Sequence, residues 1–268
     1  MISRITDMFA RTKAETRSAF IPFIMAGDPN LEACEALLNA LPEAGADMVE
    51  LGMPFSDPMA DGPTIQAAGL RALAAGTTTH SVLAIAKRFR VNHPSVPLIL
   101  MGYYNPIYVF GPEAFAHAAA NAGVDGLIIV DLPPEEENEL VPFLDAKGIA
   151  LVRLVTPTSL ADRLPRLLEA AKGYLYYISV TGVTGVKTAE NTALSAQVAT
   201  LKASTRLPIA VGFGIKTAEQ VMQVGRFSEG VVVGSAIVQQ VEKYKEAPIA
   251  TLLTEVTNFI KSLRQPGA

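Results

Sequence analysis

The sequence predicts a single-domain α/β protein, a (β/α)₈ barrel with an extra N-terminal helix, over residues 1–268. Short apolar runs alternate with helical patterns along the chain of 268 residues, and eight such runs can be counted. Continuous apolar runs are typical of parallel strands that are covered on both faces. Eight strand–helix units in about 250 residues fit a closed barrel. The alternative, a doubly wound open sheet, usually stops at about five to seven strands.

Glycine and proline divide the first half of the predicted barrel into its elements. Gly27-Asp28-Pro29 ends the first strand, Pro63 suits the first turn of a helix, and Asn105-Pro106 follows the third strand. The predicted strands are residues 19–26, 48–50, 97–103 and 126–131, and the predicted helices are residues 2–14, 31–41, 63–75, 79–91 and 113–122.

The second half repeats the same alternation. Predicted strands are residues 149–155, 174–179, 208–211 and 230–233, and predicted helices are residues 134–147, 160–171, 192–204, 217–225 and 251–263. Gly234-Ser235-Ala236 is expected to open a further short helix. Arg153 interrupts the apolar pattern of the fifth strand, and we expect it to point outward to an acid on a helix.

Composition excludes several classes of function. The chain is 50% hydrophobic and 18% charged with a formal net charge of −4, so it has no basic field for nucleic acid. No apolar run is long enough to span a bilayer, and the first residues lack the apolar core of a signal peptide. We therefore expect a cytoplasmic protein without membrane contact. Cys34, the only cysteine, is expected to be a core thiol.

One stretch, DMVELGMPFSDPMADGPTIQ at residues 47–66, concentrates the candidate chemistry. Glu50 ends an apolar strand, and glutamate is rarely buried there without a functional reason. Asp57 and Asp61 lie in the proline-rich loop that follows. Asp57 is best read as a turn former, and Asp61 fits a turn residue as well as a catalytic one. Two carboxylates in different environments can divide acid and base roles.

Glycines after the last two predicted strands indicate a phosphate site. Gly212-Phe213-Gly214 and Gly234-Ser235-Ala236 expose backbone N–H groups at the position where barrels often bind phosphate. The Gly/Thr loop after the sixth strand can close over the same side. Each glycine pair alone is a weak signal, and the two together favour a phosphorylated ligand.

Several common mechanisms lack their residues. No predicted strand contains a lysine for a Schiff base, and His80, His93 and His117 lie in or at the ends of helices rather than at strand ends. We therefore expect no metal site and no cofactor. The remaining groups are suited to acid–base chemistry on a phosphorylated, partly apolar substrate.

The motifs ELGMPFSDPMADGPTIQ, FIMAGDPN, MGYYNP, GLIIVDLP, SVTGVTG, VGFGI and VGSAIV resemble, in order, those of the tryptophan synthase α subunit family. The resemblance spans nearly the whole chain. It implies a barrel that cleaves indole-3-glycerol phosphate to indole and glyceraldehyde 3-phosphate. It also implies a pyridoxal-phosphate-dependent β subunit as partner, in an α2β2 complex, which receives the indole through a tunnel.

The resemblance assigns roles residue by residue. Glu50 would be the general acid/base and Asp61 the second catalytic carboxylate. The indole pocket would be lined by Phe23, Ile128, Leu154 and Tyr176. The phosphate would be held by Gly185, Gly214, Gly234 and Ser235, with Phe213 beside them. Thr184 would belong to a closing loop and contact Asp61. Val180 stands where some members have arginine, so the closed form of loop 180–191 is left open.

The face towards the β subunit would include Pro54, Asp57 and Asn105. The loops at residues 52–63 and 102–107 are rich in apolar residues and proline. We expect them to form an exposed patch on the catalytic face, made of Pro54, Phe55, Pro58, Met59, Tyr103, Tyr104, Pro106 and Ile107.

Two other classes of function are compatible with such a barrel. One is an isomerase or epimerase of the phosphate-binding barrels. The isomerase needs catalytic aspartates after strands one and five, where this chain has Gly27-Asp28-Pro29 and Thr156-Pro157, and the epimerase needs metal-binding histidines at strand ends. The other is a non-catalytic indole-binding activator subunit, which the presence of both carboxylates disfavours.

Overall fold

The computed structural model describes residues 3–159, 163–169, 171–178, 188–212 and 214–264. In these residues nine parallel strands form one sheet, ordered β5-β4-β3-β2-β1-β9-β8-β7-β6. The strands are β1 Ala19–Met25, β2 Val49–Gly52, β3 Leu98–Gly102, β4 Gly126–Ile129, β5 Ala150–Leu151, β6 Arg153–Val155, β7 Leu175–Ile178, β8 Ile209–Gly212 and β9 Gly230–Val233.

The sheet closes into a barrel. β1 pairs with β2 on one side and with β9 on the other. The two ends of the strand order, β5 and β6, are consecutive in the chain and separated only by Val152, whose N–H donates to the Leu127 carbonyl of β4 at 2.9 Å. β5 and β6 are therefore two parts of the predicted fifth strand. The predicted (β/α)₈ barrel is confirmed, and the open doubly wound sheet is excluded.

Helices surround the barrel and follow the strands in the chain. They are α1 Ser3–Ala14, α2 Leu31–Ala40, α3 Pro63–Ala74, α4 Thr79–Asn92, α5 Tyr104–Phe110, α6 Pro112–Asn121, α7 Val141–Lys147, α8 Leu164–Glu169, α9 Thr188–Ser204, α10 Ala218–Gly225, α11 Ser235–Lys243 and α12 Ile249–Arg264. No helix in the described part of the chain is long and apolar enough to cross a membrane.

Proline accounts for one helix that was not predicted and for one helix prediction that was wrong. α5, which is not among the predicted helices, begins directly after β3 and contains Asn105-Pro106, since proline is tolerated in the first turn of a helix. The helix predicted over residues 134–147 is instead a 3₁₀ turn, Glu137–Glu139, followed by the shorter α7, which has Pro142 in its first turn. The helix predicted over residues 160–171 is present as α8, although residues 160–162 and 170 lie outside the described part.

The strands carry two apolar layers. Val49 and Leu51 belong to the layer between barrel and helices, whereas Met48, the residue just before this strand, belongs to the barrel interior. α1 contributes Ile5 and Phe9 to that interior, so it closes the amino-terminal end of the barrel. This alternation places every second residue of a strand inside the barrel.

Buried ion pairs hold the first helix and the fifth strand in place. Asp47, just before β2, accepts hydrogen bonds from Arg17 at 2.6 Å and Arg11 at 2.8 Å. Burial alone would raise the pKa of Asp47, but the bonds from Arg17 and from the Phe20 N–H lower it below the usual value. Arg153 is buried and pairs with Glu137 of the 3₁₀ turn, so it points outward to an acid as expected.

Candidate active site

Glu50 lies inside the barrel on β2. Its neighbours in register are Phe23 on β1 and Ile99 on β3. The side chain is fully buried, and its Oε1 accepts a hydrogen bond of 2.7 Å from the Tyr174 hydroxyl. Its Oε2 has no hydrogen-bond partner within the described residues, so it is available to a substrate.

The environment of Glu50 favours the neutral carboxyl group. Burial raises its pKa to about 8, although the hydrogen bond from Tyr174 acts in the opposite direction. Burial also raises the pKa of Tyr176 well above its ordinary value, and the charge of Glu50 adds to this effect. Near pH 7 the Glu50 side chain therefore holds a proton that it can donate.

Asp61 occupies the loop between β2 and α3. Together with Phe23, Gly52, Met101 and Tyr103 it lines a crevice at the carboxyl end of the strands. Burial raises its pKa to about 6, while a hydrogen bond with Tyr103 acts to lower it. The Tyr103 hydroxyl also accepts from the Ala60 N–H at 3.0 Å, which fixes this part of the loop.

The four predicted pocket residues all belong to the barrel interior. Ile128, Leu154 and Tyr176 lie in or against one interior cluster, and Phe23 lies in a neighbouring one. In register, Leu154 faces Tyr176 across β6 and β7. These apolar side chains surround the same barrel interior as Glu50.

Two glycines at strand ends make room for the aromatic rings. A Cβ at Gly52 would lie 2.6 Å from Cζ of Phe23, and a Cβ at Gly212 would lie 2.2 Å from the Tyr176 hydroxyl oxygen. Any side chain at either position would displace its ring. The sequence analysis placed Gly212 in a phosphate loop and did not predict that Gly52 or Gly212 makes room for an aromatic ring. The signal that could have indicated this role is a glycine at the end of a strand.

Gly214 and Gly234 are the predicted phosphate-loop glycines that the structure describes. Gly214 has φ 79, a conformation that favours glycine. Gly234 precedes α11, which begins at Ser235, so the first-turn N–H groups of this helix lie at a helix start, a position that can bind anions. A Cβ at Gly234 would lie 3.5 Å from Phe23, so this helix start adjoins the apolar pocket. Thr184, Gly185 and Phe213, together with Val180, lie outside the described residues.

The expected partner patch is only partly exposed. Tyr103 and Ile107 are buried, contrary to the prediction, because the Tyr103 hydroxyl bonds to the Asp61 loop and Ile107 packs in the core. Met59 is 83% exposed, as expected, and Tyr108 and Val109 of α5 are exposed as well. The exposed apolar residues of this face are therefore Met59, Tyr108 and Val109. Asp57 lies in the same loop as Met59 and Asn105 lies on α5, and both are exposed, whereas Pro54 is half-buried.

Among the described residues, no group of three or more histidine, cysteine, aspartate or glutamate side chains is placed to hold a metal ion. Cys34 is buried in the core, where its Sγ donates to the Met25 carbonyl at 3.6 Å, and burial raises its pKa to about 12. The site is thus built from two carboxyl groups, tyrosines, apolar side chains and backbone N–H groups.

Comparison with known proteins assigns this barrel to a family. Residues 9–265 match the family model described as tryptophan synthase alpha chain. The chain belongs to this family. It is 55% identical to the tryptophan synthase alpha chain of Rhizorhabdus wittichii, over 98% of this chain and 97% of that one, and 49% identical to that of Phenylobacterium zucineum, over 98% and 96%.

Solved structures of the family have the same fold. Tryptophan synthase subunit alpha from Legionella pneumophila superposes with a TM-score of 0.89 at 40% identity, covering 97% of both chains. A chain of Mycobacterium tuberculosis tryptophan synthase superposes with a TM-score of 0.86 at 32% identity, covering 98% of this chain and 99% of that chain. As a member of this family, the protein is a lyase that cleaves indole-3-glycerol phosphate in tryptophan biosynthesis, and membership implies a β subunit as partner. The predicted resemblance and activity are confirmed.

Proposed function

We propose that Glu50 and Asp61 divide the chemistry of the α reaction, the retro-aldol cleavage of indole-3-glycerol phosphate. The observation that carries this proposal is the difference between their environments: the pKa of Glu50 is about 8 and that of Asp61 is about 6. Near pH 7 the first is therefore protonated and the second is ionised. Two carboxyl groups whose pKa values are pushed apart can act as acid and as charge stabiliser in one site.

The first step requires an acid and a negative charge. Glu50 donates its proton to carbon 3 of the indole ring, and the ring nitrogen then carries positive charge. The carboxylate of Asp61, at the rim of the crevice, stabilises that charge. The apolar pocket around Phe23 and Tyr176 excludes water, which strengthens both interactions.

The second step requires a base. Glu50, now ionised, removes the proton from the hydroxyl group on the carbon that is bonded to the ring. The bond between that carbon and carbon 3 breaks, its electron pair returns to the ring, and the carbon becomes the aldehyde of glyceraldehyde 3-phosphate. Glu50 gives up one proton in the first step and takes up one in the second, so it ends the reaction protonated, as it began. Each proton transfer contributes about 10²–10⁴-fold to the rate.

The direct test is to incubate the purified chain with indole-3-glycerol phosphate and to measure aldehyde and indole in equal amounts. Equal release with a bell-shaped dependence of kcat/KM on pH, with limbs near pH 6 and pH 8, supports this division of roles. A rate that stays constant from pH 5 to pH 9 would contradict it.

The phosphate is proposed to bind at the start of α11. We expect Gly234→Val to raise the KM for indole-3-glycerol phosphate by about tenfold or more, because the added side chain fills the space between Phe23 and the first-turn N–H groups. Steady-state kinetics of the variant measures this. Gly76→Val is the control, since a Cβ there meets no neighbouring atom, although its φ of 83 costs some stability. An unchanged KM for Gly234→Val would show that the phosphate does not bind at the start of α11.

The partner is proposed to be a pyridoxal-phosphate-dependent β subunit, bound in an α2β2 complex at the face that carries Met59, Tyr108 and Val109. These exposed apolar side chains favour a protein contact there. The loop of Asp61 is part of this face, so docking of the partner would also position Asp61. Binding that favours the active arrangement of the loop would raise the rate.

We expect the isolated chain to be a weak catalyst whose rate rises when β subunit is added. Asp57→Ala and Asn105→Ala should reduce that rise more than the basal rate, because both side chains are exposed on the partner face. Aldehyde release titrated with β subunit measures both quantities. Asp7→Ala and Asn121→Ala are matched controls, since these exposed residues lie on α1 and α6. If Asp57→Ala and Asn105→Ala are activated as strongly as wild type, the β subunit binds at another face.

A further inference from the structure

A second cleft, of about 480 Å³, lies at the amino-terminal end of the barrel, away from the catalytic carboxyl ends of the strands. Its walls come from three places in the chain. They are the end of α1 with residues 16–18, the end of α9 (Lys202) with residues 205–208 before β8, and the turn at residues 225–229 before β9. None of the proposed catalytic or substrate-binding residues contributes to it.

The lining of this amino-terminal cleft contains five cationic side chains and one carboxylate. Two of the cations are neutralised. Lys202 Nζ lies 2.6 Å from Glu229 Oε1, and Arg17 lies 2.6 Å from Asp47. The other three have no acidic partner within the described residues, and they are Lys13, Arg206 and Arg226.

This excess of positive charge is local. The chain as a whole has a net charge of −4, yet three unpaired cations from three separate segments border one cleft. Such convergence raises the local concentration of anions, since walls of low dielectric focus the field of the charges. The charges themselves therefore favour an anionic ligand.

The rest of the lining indicates what kind of anion fits. Phe9, Leu207 and Phe227 form apolar parts of the wall, and Ser18 and Thr16 bring hydroxyl groups to the same cleft. Thr16 has φ 56, the one positive φ among the described non-glycine residues, and this turn carries the chain from α1 into the wall. An inorganic ion would use the cations alone, whereas an organic anion would also cover the apolar surface.

We propose that the amino-terminal cleft is a second ligand site that binds a small phosphorylated organic anion. A phosphate monoester carries a charge of about −1.5 to −2 and three acceptor oxygens, which suits three converging cations. Its organic part packs on the apolar wall. This site is independent of the substrate phosphate site at α11, because the two lie at opposite ends of the barrel strands.

The test uses phenyl phosphate as probe and the amide NMR spectrum of the full chain as readout. We expect saturable shifts at residues 13–18, 205–208 and 225–229, distinct from any shifts near residue 234. Inorganic phosphate should bind there more weakly than phenyl phosphate, and phenol should give no saturable shift. Absence of saturable shifts at the three segments with phenyl phosphate would overturn the proposal.

Charge variants distinguish a specific binding site from a general effect of net charge. We expect Lys13→Ala, Arg206→Ala and Arg226→Ala, combined, to raise the Kd of phenyl phosphate at the cleft by about tenfold or more. The matched control is Lys87→Ala, Lys147→Ala and Lys261→Ala, which removes the same charge from exposed positions outside the cleft. Equal weakening of phenyl phosphate binding in both triple variants would contradict a specific site. The single variant Arg206→Gln repeats the test with a smaller perturbation.

Discussion

Glu50→Gln is expected to lower kcat by about 10³-fold or more while the KM for indole-3-glycerol phosphate changes little. Glutamine keeps the size of the side chain and can still accept the hydrogen bond of the Tyr174 hydroxyl. It can neither donate the proton that carbon 3 needs nor remove the second one. The phosphate and indole contacts lie on other residues, so binding is retained. Steady-state kinetics of aldehyde release measures both constants.

The control for this variant acts on the pKa rather than on the acid itself. Tyr174→Phe removes a hydrogen bond that favours the ionised form of Glu50, so the pKa of Glu50 should rise. Since the first step needs the protonated form, activity is lost as pH rises through this pKa. The alkaline limb of kcat/KM, near pH 8 in wild type, should therefore move to higher pH. Near-normal turnover of Glu50→Gln would show that another group is the acid.

The barrel was predictable because its strands are buried on both faces and their apolar runs are short and continuous. The errors fall where proline position decides the structure. Pro106 sits in the first turn of α5 and Pro142 in the first turn of α7, and the sequence alone does not say whether a proline starts a helix or ends one. The interruption at Val152 was also not predictable, because residues 149–155 keep the apolar pattern of a strand.

Glu50 was predictable because a carboxyl group at an inward position of an apolar strand is costly unless it is used. The role of Tyr174 was not, because it is 124 residues away in the chain and reads as a strand residue. The same limit applies to Tyr103, which was expected to be exposed and instead bonds the Asp61 loop. Contacts between distant segments depend on how the barrel closes, which local pattern does not specify.

Asp61→Asn is expected to lower kcat by about 10²–10³-fold. Asparagine occupies the same volume and can still bond to Tyr103, but it carries no charge to stabilise the positive ring nitrogen. Because burial raises the pKa of Asp61 to about 6, its charge in wild type is lost as pH falls through 6. The acid limb of the kcat profile should therefore disappear in the variant, while the alkaline limb that depends on Glu50 stays.

Asp57→Asn is the matched control for this prediction, because Asp57 lies in the same loop and is exposed, with its carboxylate bonded to Ser56. Its basal kcat and both limbs of its profile should be close to wild type, since an exposed charge in water has little effect on the pocket. The comparison separates loss of a specific charge from disturbance of the loop. If Asp61→Asn loses no more activity than Asp57→Asn, or keeps its acid limb near pH 6, then Asp61 is a turn residue and the ring nitrogen is stabilised by another group.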